Sequence, residues 1–251
     1  MHGFAYDAIH DEIIVTSPLT QAILIFRGGA NGEERPIRVI QGPHTQIIGT
    51  AEGGNDKVSV DAVNDEILIP TGTGAGRQRA TPPSALNSVV VFARDSNGDA
   101  PPKRILSGPD TQIRGVSAVA ADPIHNRLVV NSGGAMLIFD RIASGNAKPL
   151  AVIKGPKSGV ANISSFQVYP EKGWIIGGGS DGSICAWSIN DNGDVPPRWR
   201  IPVQKLTGYV ASGIALDPVH KELILSAAGQ RVRPPSGIMN TVITFSWPEI
   251  F

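Results

Sequence analysis

Short runs of alternating apolar and polar residues, broken by glycine, proline, asparagine or aspartate, occupy this chain almost from end to end. The clearest stretch reads as four strands. Val116-Ser-Ala-Val-Ala-Ala-Asp122 alternates small and apolar residues, and Pro123-Ile-His-Asn126 is a turn. Arg127-Leu-Val-Val-Asn131 and Ala135-Met-Leu-Ile-Phe139 follow as the second and third strands. Arg141 to Asn146 turns again, and Pro149-Leu-Ala-Val-Ile153 is the fourth strand, closed by Gly155-Pro156. A period of two, β-branched content and turn residues at each boundary predict an antiparallel meander and exclude amphipathic helices.

The meander recurs. Asp7-Ala-Ile-His-Asp-Glu-Ile-Ile-Val returns as Asp61-Ala-Val-Asn-Asp-Glu-Ile-Leu-Ile, Asp122-Pro-Ile-His-Asn-Arg-Leu-Val-Val and Asp217-Pro-Val-His-Lys-Glu-Leu-Ile-Leu, with a degenerate copy at Tyr169-Pro-Glu-Lys-Gly-Trp-Ile-Ile. The third strand of each copy ends on an aromatic: Phe26, Phe92, Phe139, Trp187 and Phe245. Proline announces the fourth strand at Pro36, Pro102, Pro149 and Pro197, where its missing N–H is tolerated. A small sheet cannot bury both faces alone. Stacked radially, such sheets cover one another, so the repeat predicts an all-β propeller of four-stranded antiparallel blades forming a single domain over residues 1–251. The blades run roughly over 4–54, 55–115, 116–162, 163–211 and 212–251. The last is one strand short, leaving 19 strands. Either Trp247 to Phe251 supplies a stunted outer strand, or the parent ring has six blades.

Composition narrows the function classes. Charged residues make up 18% of the chain, and the 22 basic residues balance the 22 acidic ones, so no bulk attraction to nucleic acid is expected. No apolar run reaches transmembrane length, and the start Met-His-Gly-Phe-Ala-Tyr-Asp lacks the regions of a signal peptide, as expected of a cytoplasmic protein or of a secreted one whose leader is missing from this chain. The lone Cys185 lies in the apolar run Ser183-Ile-Cys-Ala-Trp187 and reads as a buried, inert thiol.

The small strand, Asp-Pro-x-His/Asn turn, Val/Ile-rich strand and Ile-x-Val-Phe resemble bacterial NHL- and YVTN-type propeller repeats over nearly the whole chain. Asn97-Gly-Asp99 through Gly108-Pro109 is similar to the Asn-Gly-Asp-x-x-Pro-x-Arg-x-Ile-x-Gly-Pro blades of secreted bacterial propellers. That resemblance implies an extracellular or periplasmic setting and implies no particular activity.

Repetition also sorts the candidate chemistry. His10, His125 and His220 occupy one turn in different blades, too far apart to share an ion whose ligands lie about 2 Å away. Asp95-Ser-Asn-Gly-Asp99 and Asp191-Asn-Gly-Asp194 lack the closing bidentate glutamate of a calcium loop and read as turns. Gly177-Gly-Gly-Ser-Asp-Gly182 opens no helix, so phosphate cradling is not expected. Ser59, Ser117, Ser164 and Ser212 line the innermost strands without a partner base. Glu52, Asn55, Asp56 and Asn162 precede inner strands. They form the weak candidate for the divalent-metal site that lactonase-like propellers hold at the channel mouth.

Two insertions break the repeat at the same place, between second and third strands. Thr71 to Asn87 and Gly229 to Asn240 both carry Arg-x-Arg followed by Pro-Pro-Ser, giving Arg77, Arg79 and Arg231, Arg233. Arginine forks suit carboxylates, sulfates and phosphates, and proline lowers the ordering cost of a loop. The plainer alternative is a pair of tolerated surface loops whose arginines stack on strand-end aromatics. The expected function is therefore a non-enzymatic binding scaffold without cofactor. Its partner would be a protein, peptide or anionic glycan, met through one face. A metal-dependent lactonase-like hydrolase is the alternative.

Overall fold

The computed structural model describes residues 3–47, 57–71, 87–160, 163, 165–229 and 240–251. Its fold is an all-β propeller of five sheets. The first contains β1 (Phe4–Asp7), β2 (Glu12–Ser17), β3 (Ala22–Arg27) and β4 (Arg38–Gln41). The second contains β5 (Ser59–Asp61), β6 (Glu66–Thr71), β7 (Ser88–Ala93) and β8 (Arg104–Ser107). The third contains β9 (Val116–Asp122), β10 (Arg127–Ser132), β11 (Ala135–Asp140) and β12 (Ala151–Ile153). The fourth contains β13 (Phe166–Tyr169), β14 (Trp174–Gly178), β15 (Ile184–Ser188) and β16 (Trp199–Ile201). The fifth holds only β17 (Tyr209–Asp217), β18 (Glu222–Gly229) and β19 (Asn240–Ser246). Sequence order equals spatial order in every sheet.

The chain divides into two compact units. One comprises Met1–Gly133 with Leu137–Leu150. The other comprises Gly134–Met136 with Ala151–Phe251. In the first, Ile14, Ile23, Ile25 and Ile40 of one sheet interlock with Ile67, Ile69, Val90 and Phe92 of the next. In the second, Ile176, Ile184 and Ala186 pack with Ile214, Leu223 and Leu225. Each such buried side chain contributes about 1.5–3 kcal/mol of transfer free energy.

The repeated aspartate builds the first hairpin of a sheet. Asp7 Oδ1 accepts the N–H groups of Ile9 and His10, both at 3.0 Å, and its Oδ2 meets His10 Nδ1 at 2.8 Å. Asp122 treats Ile124 and His125 the same way. Asp217 binds His220 Nδ1 at 2.7 Å, and Asn64 substitutes for histidine on Asp61. All three turn histidines are thus engaged locally by their own aspartates. The turn closes through a left-handed residue in every copy: Asp11, Asp65, Asn126, Gly173 and Lys221, with φ between 53° and 64°. Asp, Asn and Gly tolerate that region best. In the fourth copy Tyr169 offers no side-chain acceptor of this kind, and the turn rests on Lys172 N–H to Tyr169 O and Gly173 N–H to Pro170 O.

The Asn-Gly-Asp segments, and Ser144-Gly-Asn146 in the third sheet, do more than turn. Gly98 forms a parallel bridge to Ile40, Gly145 to Leu106 and Gly193 to Ile153. Each therefore caps the outer edge of the preceding sheet, an edge that would otherwise expose unpaired backbone. Asn97 Oδ1 accepts Val39 N–H, while Asp99 Oδ1 accepts His44 N–H at 2.7 Å. Asn192 and Asp194 repeat this on Val152, Lys157 and Ser158. The acid fills the space above the glycine of Gly-Pro: a Cβ on Gly42, Gly108 or Gly155 would sit within 2.4 Å of Asp99, Asn146 or Asp194.

Two local expectations fail. Trp247 to Phe251 is no stunted strand: Pro248–Ile250 is a 3-10 turn, and Trp247, Ile250 and Phe251 pack against Tyr169 and Trp174. The fifth sheet also begins at Tyr209, ahead of the expected 212, because a short helix α1 (Val203–Thr207) replaces the Gly-Pro corner.

Candidate functional site

The second-to-third-strand connection is residues 18–21, 133–134 and 179–183 in the first, third and fourth sheets, but 72–87 and 230–239 in the second and fifth. The second sheet's connection leaves from a buried strand end. Thr71 and Ser88 are the last cross-strand pair, both buried, and their hydroxyls hydrogen-bond to each other. Asn87 Oδ1 then accepts the Gly115 N–H at 2.8 Å, tying this end to the segment that leads into the third sheet.

These connections share an end of their sheets with the sheet-to-sheet segments. Gln41 Nε2 donates to Thr20 O, Arg114 N–H to Ser132 Oγ, Ser180 N–H to Gly159 O and Gln204 N–H to Gly182 O. Beside the 18–21 connection lies an open cleft of about 570 Å³, lined by Thr20, Gln21, Gln41, Pro43, Gln46 and Ile47. Its lining offers amides and a hydroxyl but no ionisable group, so it suits hydrogen bonding and not acid–base chemistry.

Arg77, Arg79, Arg231 and Arg233 lie outside the described residues, as do Glu52, Asn55, Asp56 and Asn162. Among the described residues, no group of three or more His, Cys, Asp or Glu is arranged to hold a metal ion. Cys185 is fully buried, and burial pushes its thiol up to about 11, which disfavours the reactive thiolate.

The strongest electrostatics sit at the opposite end of the strands, where the repeat analysis did not look. Glu66, at the start of β6, is 1% exposed. Arg104 forks onto it at 2.6 and 2.7 Å, Lys103 Nζ approaches at 2.7 Å, and Arg141 reaches it from the third sheet at 3.0 Å. Burial alone would raise this carboxyl, but the hydrogen bonds from Arg104 and Lys103 outweigh it and bring it down to about 2. Glu12 repeats the pattern with Arg38 at 2.6 Å and Arg94 of the second sheet at 3.1 Å. Glu66, with four such contacts, and Glu12, with two, are held as structural joints between neighbouring strands and sheets. The signal was present in the chain: Arg94 and Arg141 each stand two residues after the strand-end aromatic. The third sheet has Arg127 and Ala151 in place of the acid and the outer-strand arginine, so acid and base are lost together.

No family profile matches the chain, and no curated protein does. Among solved structures, 1037 chains match it, so the likeness identifies an architecture and not an activity. One of them, from "Crystal Structure of Mitotic Checkpoint Complex", superposes with a TM-score of 0.58 at 11% identity over 90% of this chain. The chain spans 59% of that neighbour's length. At that identity the likeness carries the propeller fold alone.

Proposed function

We propose that this protein is a non-enzymatic binding scaffold of the NHL/YVTN-like propeller kind. Its long second-to-third-strand loops would engage a protein, peptide or anionic glycan partner, and the matching Arg-x-Arg…Pro-Pro-Ser segments would supply the recognition. The observation that carries this reading is the contrast in one connection. Two residues, 133–134, suffice in the third sheet, whereas sixteen residues carrying Arg77 and Arg79 separate the buried ends Thr71 and Ser88 in the second. Support also comes from the other end of the strands, where buried glutamates are paired with arginine and serve cohesion. The neighbour from a checkpoint complex belongs to a multi-protein assembly, which accords with a scaffold role.

The test uses the full chain with Arg77, Arg79, Arg231 and Arg233 all changed to alanine, on immobilised heparin and on a polyglutamate peptide. The original chain should be retained on at least one of these and released by salt, since exposed ion pairs are screened. The quadruple variant should pass through with an unchanged melting temperature. Equal retention of both proteins overturns the reading.

A further inference from the structure

The fifth sheet carries a second, independent recognition feature, and the other four sheets define what fits it. In each of those, the third strand is flanked on its outer side by a fourth strand. Among the described residues, nothing pairs with the outer edge of β19. Beside that edge one face of the fifth sheet is also open, since Ala215, Ser226, Val242 and Thr244 on it are exposed, and the residue three before the strand-end aromatic shows the contrast. Ile23, Val89 and Met136 are each 0% exposed and Ile184 is 1% exposed, while Val242 at that position of β19 is 70% exposed. An uncovered strand edge with an apolar row is a template for strand addition.

Charge makes the vacancy specific. Glu12 and Glu66 open the second strands of their sheets and are bound by Arg38 and Arg104 from the fourth strands. Glu222 opens β18 in the same register: it pairs with Ser246, as Glu66 pairs with Ala93 and Glu12 with Arg27. Sheets that lack the glutamate also lack the arginine, with Arg127 and Ala151 in the third and Trp174 and Trp199 in the fourth. Glu222 is retained, yet among the described residues no Lys or Arg forms an ion pair with it, and only the rim histidine His220, itself held by Asp217, feels its charge.

We propose that the outer edge of β19 accepts an extended protein segment of the pattern Pro-x-Arg-(Val/Ile)-(Ile/Leu)-x-Gly-Pro as an antiparallel fourth strand, its arginine paired with Glu222. The pattern is that of Pro36–Pro43 and Pro102–Pro109. The register follows from β3–β4 and β7–β8, where Arg38 stands opposite Ile25 and Arg104 opposite Val91, each one residue before the aromatic. The incoming arginine therefore stands opposite Thr244, and the second of the two aliphatic residues stands opposite Val242. The residues after β19 do not compete, since Trp247, Ile250 and Phe251 pack among Tyr169, Trp174 and Leu223. This inference does not depend on the arginine loops.

The experiment titrates the full chain with a fluorescent peptide, Pro-Ile-Arg-Val-Ile-Gln-Gly-Pro, followed by anisotropy. Saturable binding is expected, weakened at least tenfold when the peptide arginine becomes glutamate. Glu222→Arg should lose the original peptide and bind the glutamate peptide, a swap that a merely structural role for Glu222 would not produce. Two results overturn the proposal: no binding at millimolar peptide, or binding indifferent to both charge changes. Self-association of the chain that Val242→Asp abolishes and the peptide does not compete away also overturns it, assigning the edge to a second copy instead.

Discussion

The second and fifth sheets descend from one sequence pattern and differ in what surrounds them. Both have the Asp-x-x-His/Asn turn, a glutamate opening the second strand, an arginine-bearing insertion and a phenylalanine closing the third strand. In the second sheet β8 covers the edge of β7, Glu66 is held by three cations, and every residue of β6 is buried. In the fifth sheet Glu222 has no arginine or lysine partner among the described residues, Val242 is exposed, and even the turn aspartate Asp217 is partly open, where Asp61 is buried. The same local signals produce the same hairpins. What differs is the energy each residue can contribute, because burial and ion pairing depend on a neighbouring strand.

The largest expected break of this comparison is Glu66→Gln against Glu222→Gln. Neutralising Glu66 leaves the buried Arg104 without its counter-charge and weakens the hold on Lys103 and Arg141, and should cost about 3–5 kcal/mol. Glu222→Gln should stay within about 0.5 kcal/mol. Urea midpoints for the two variants decide it, and equal losses would remove the distinction.

Acid should expose the same joint. The Glu66 carboxyl falls from its ordinary 4.5 to about 2 in the folded chain. A lowered folded pKa means its stabilisation is complete above pH 4.5 and is lost as pH falls toward 2. The loss is on the order of 3 kcal/mol by linkage. Glu66→Gln should flatten that part of the stability–pH curve, whereas Glu222→Gln should leave it in place.

A smaller effect separates the two third strands. Val89→Ala should destabilise by about 2 kcal/mol, through lost transfer energy and a residual cavity. Val242→Ala, at the equivalent exposed site, should change stability by less than about 0.5 kcal/mol. Addition of the proposed fourth-strand peptide should make Val242→Ala costlier, which sharpens the comparison.

The smallest signal is at the rim. The hydrogen bond to Asp217 raises His220, and the same contact lowers Asp217. The pair is charged on both sides between those two shifted values. Its contribution fades as pH rises through the His220 value or falls through that of Asp217. An NMR titration of His220 should show the raised midpoint, and Asp217→Asn should return it to an ordinary histidine value with barely any change in melting temperature.

Much of this was legible in the chain. The run from Val116 to Ile153 yields β9, β10, β11 and β12 within a residue or two, because alternation reports which side of a strand meets a core. The turn aspartates and histidines were read as blade-serving, and in the structure each turn histidine is hydrogen-bonded to the aspartate of its own turn. The Asn-Gly-Asp segments were read as turns, while their second task, capping the previous sheet's edge, joins residues such as Asn97 and Val39 that local pattern cannot connect. The Glu66 joint was missed for the same reason: its cations come from positions 103, 104 and 141. The arginine loops were singled out from sequence, and they remain the residues on which the binding proposal is to be tested.

By itself, then, the sequence determined the strands, their order within each sheet, the turn chemistry and the count of repeats, because side-chain alternation and the sterics of Gly, Pro, Asn and Asp act over a few residues. Only the tertiary structure decided which glutamates become structural joints, why glycine must precede proline beneath Asp99, Asn146 and Asp194, and that Val242 stands open where Val89 is buried. Those outcomes depend on desolvation and close approach between segments distant in the chain, and neither quantity is written in any local run of residues.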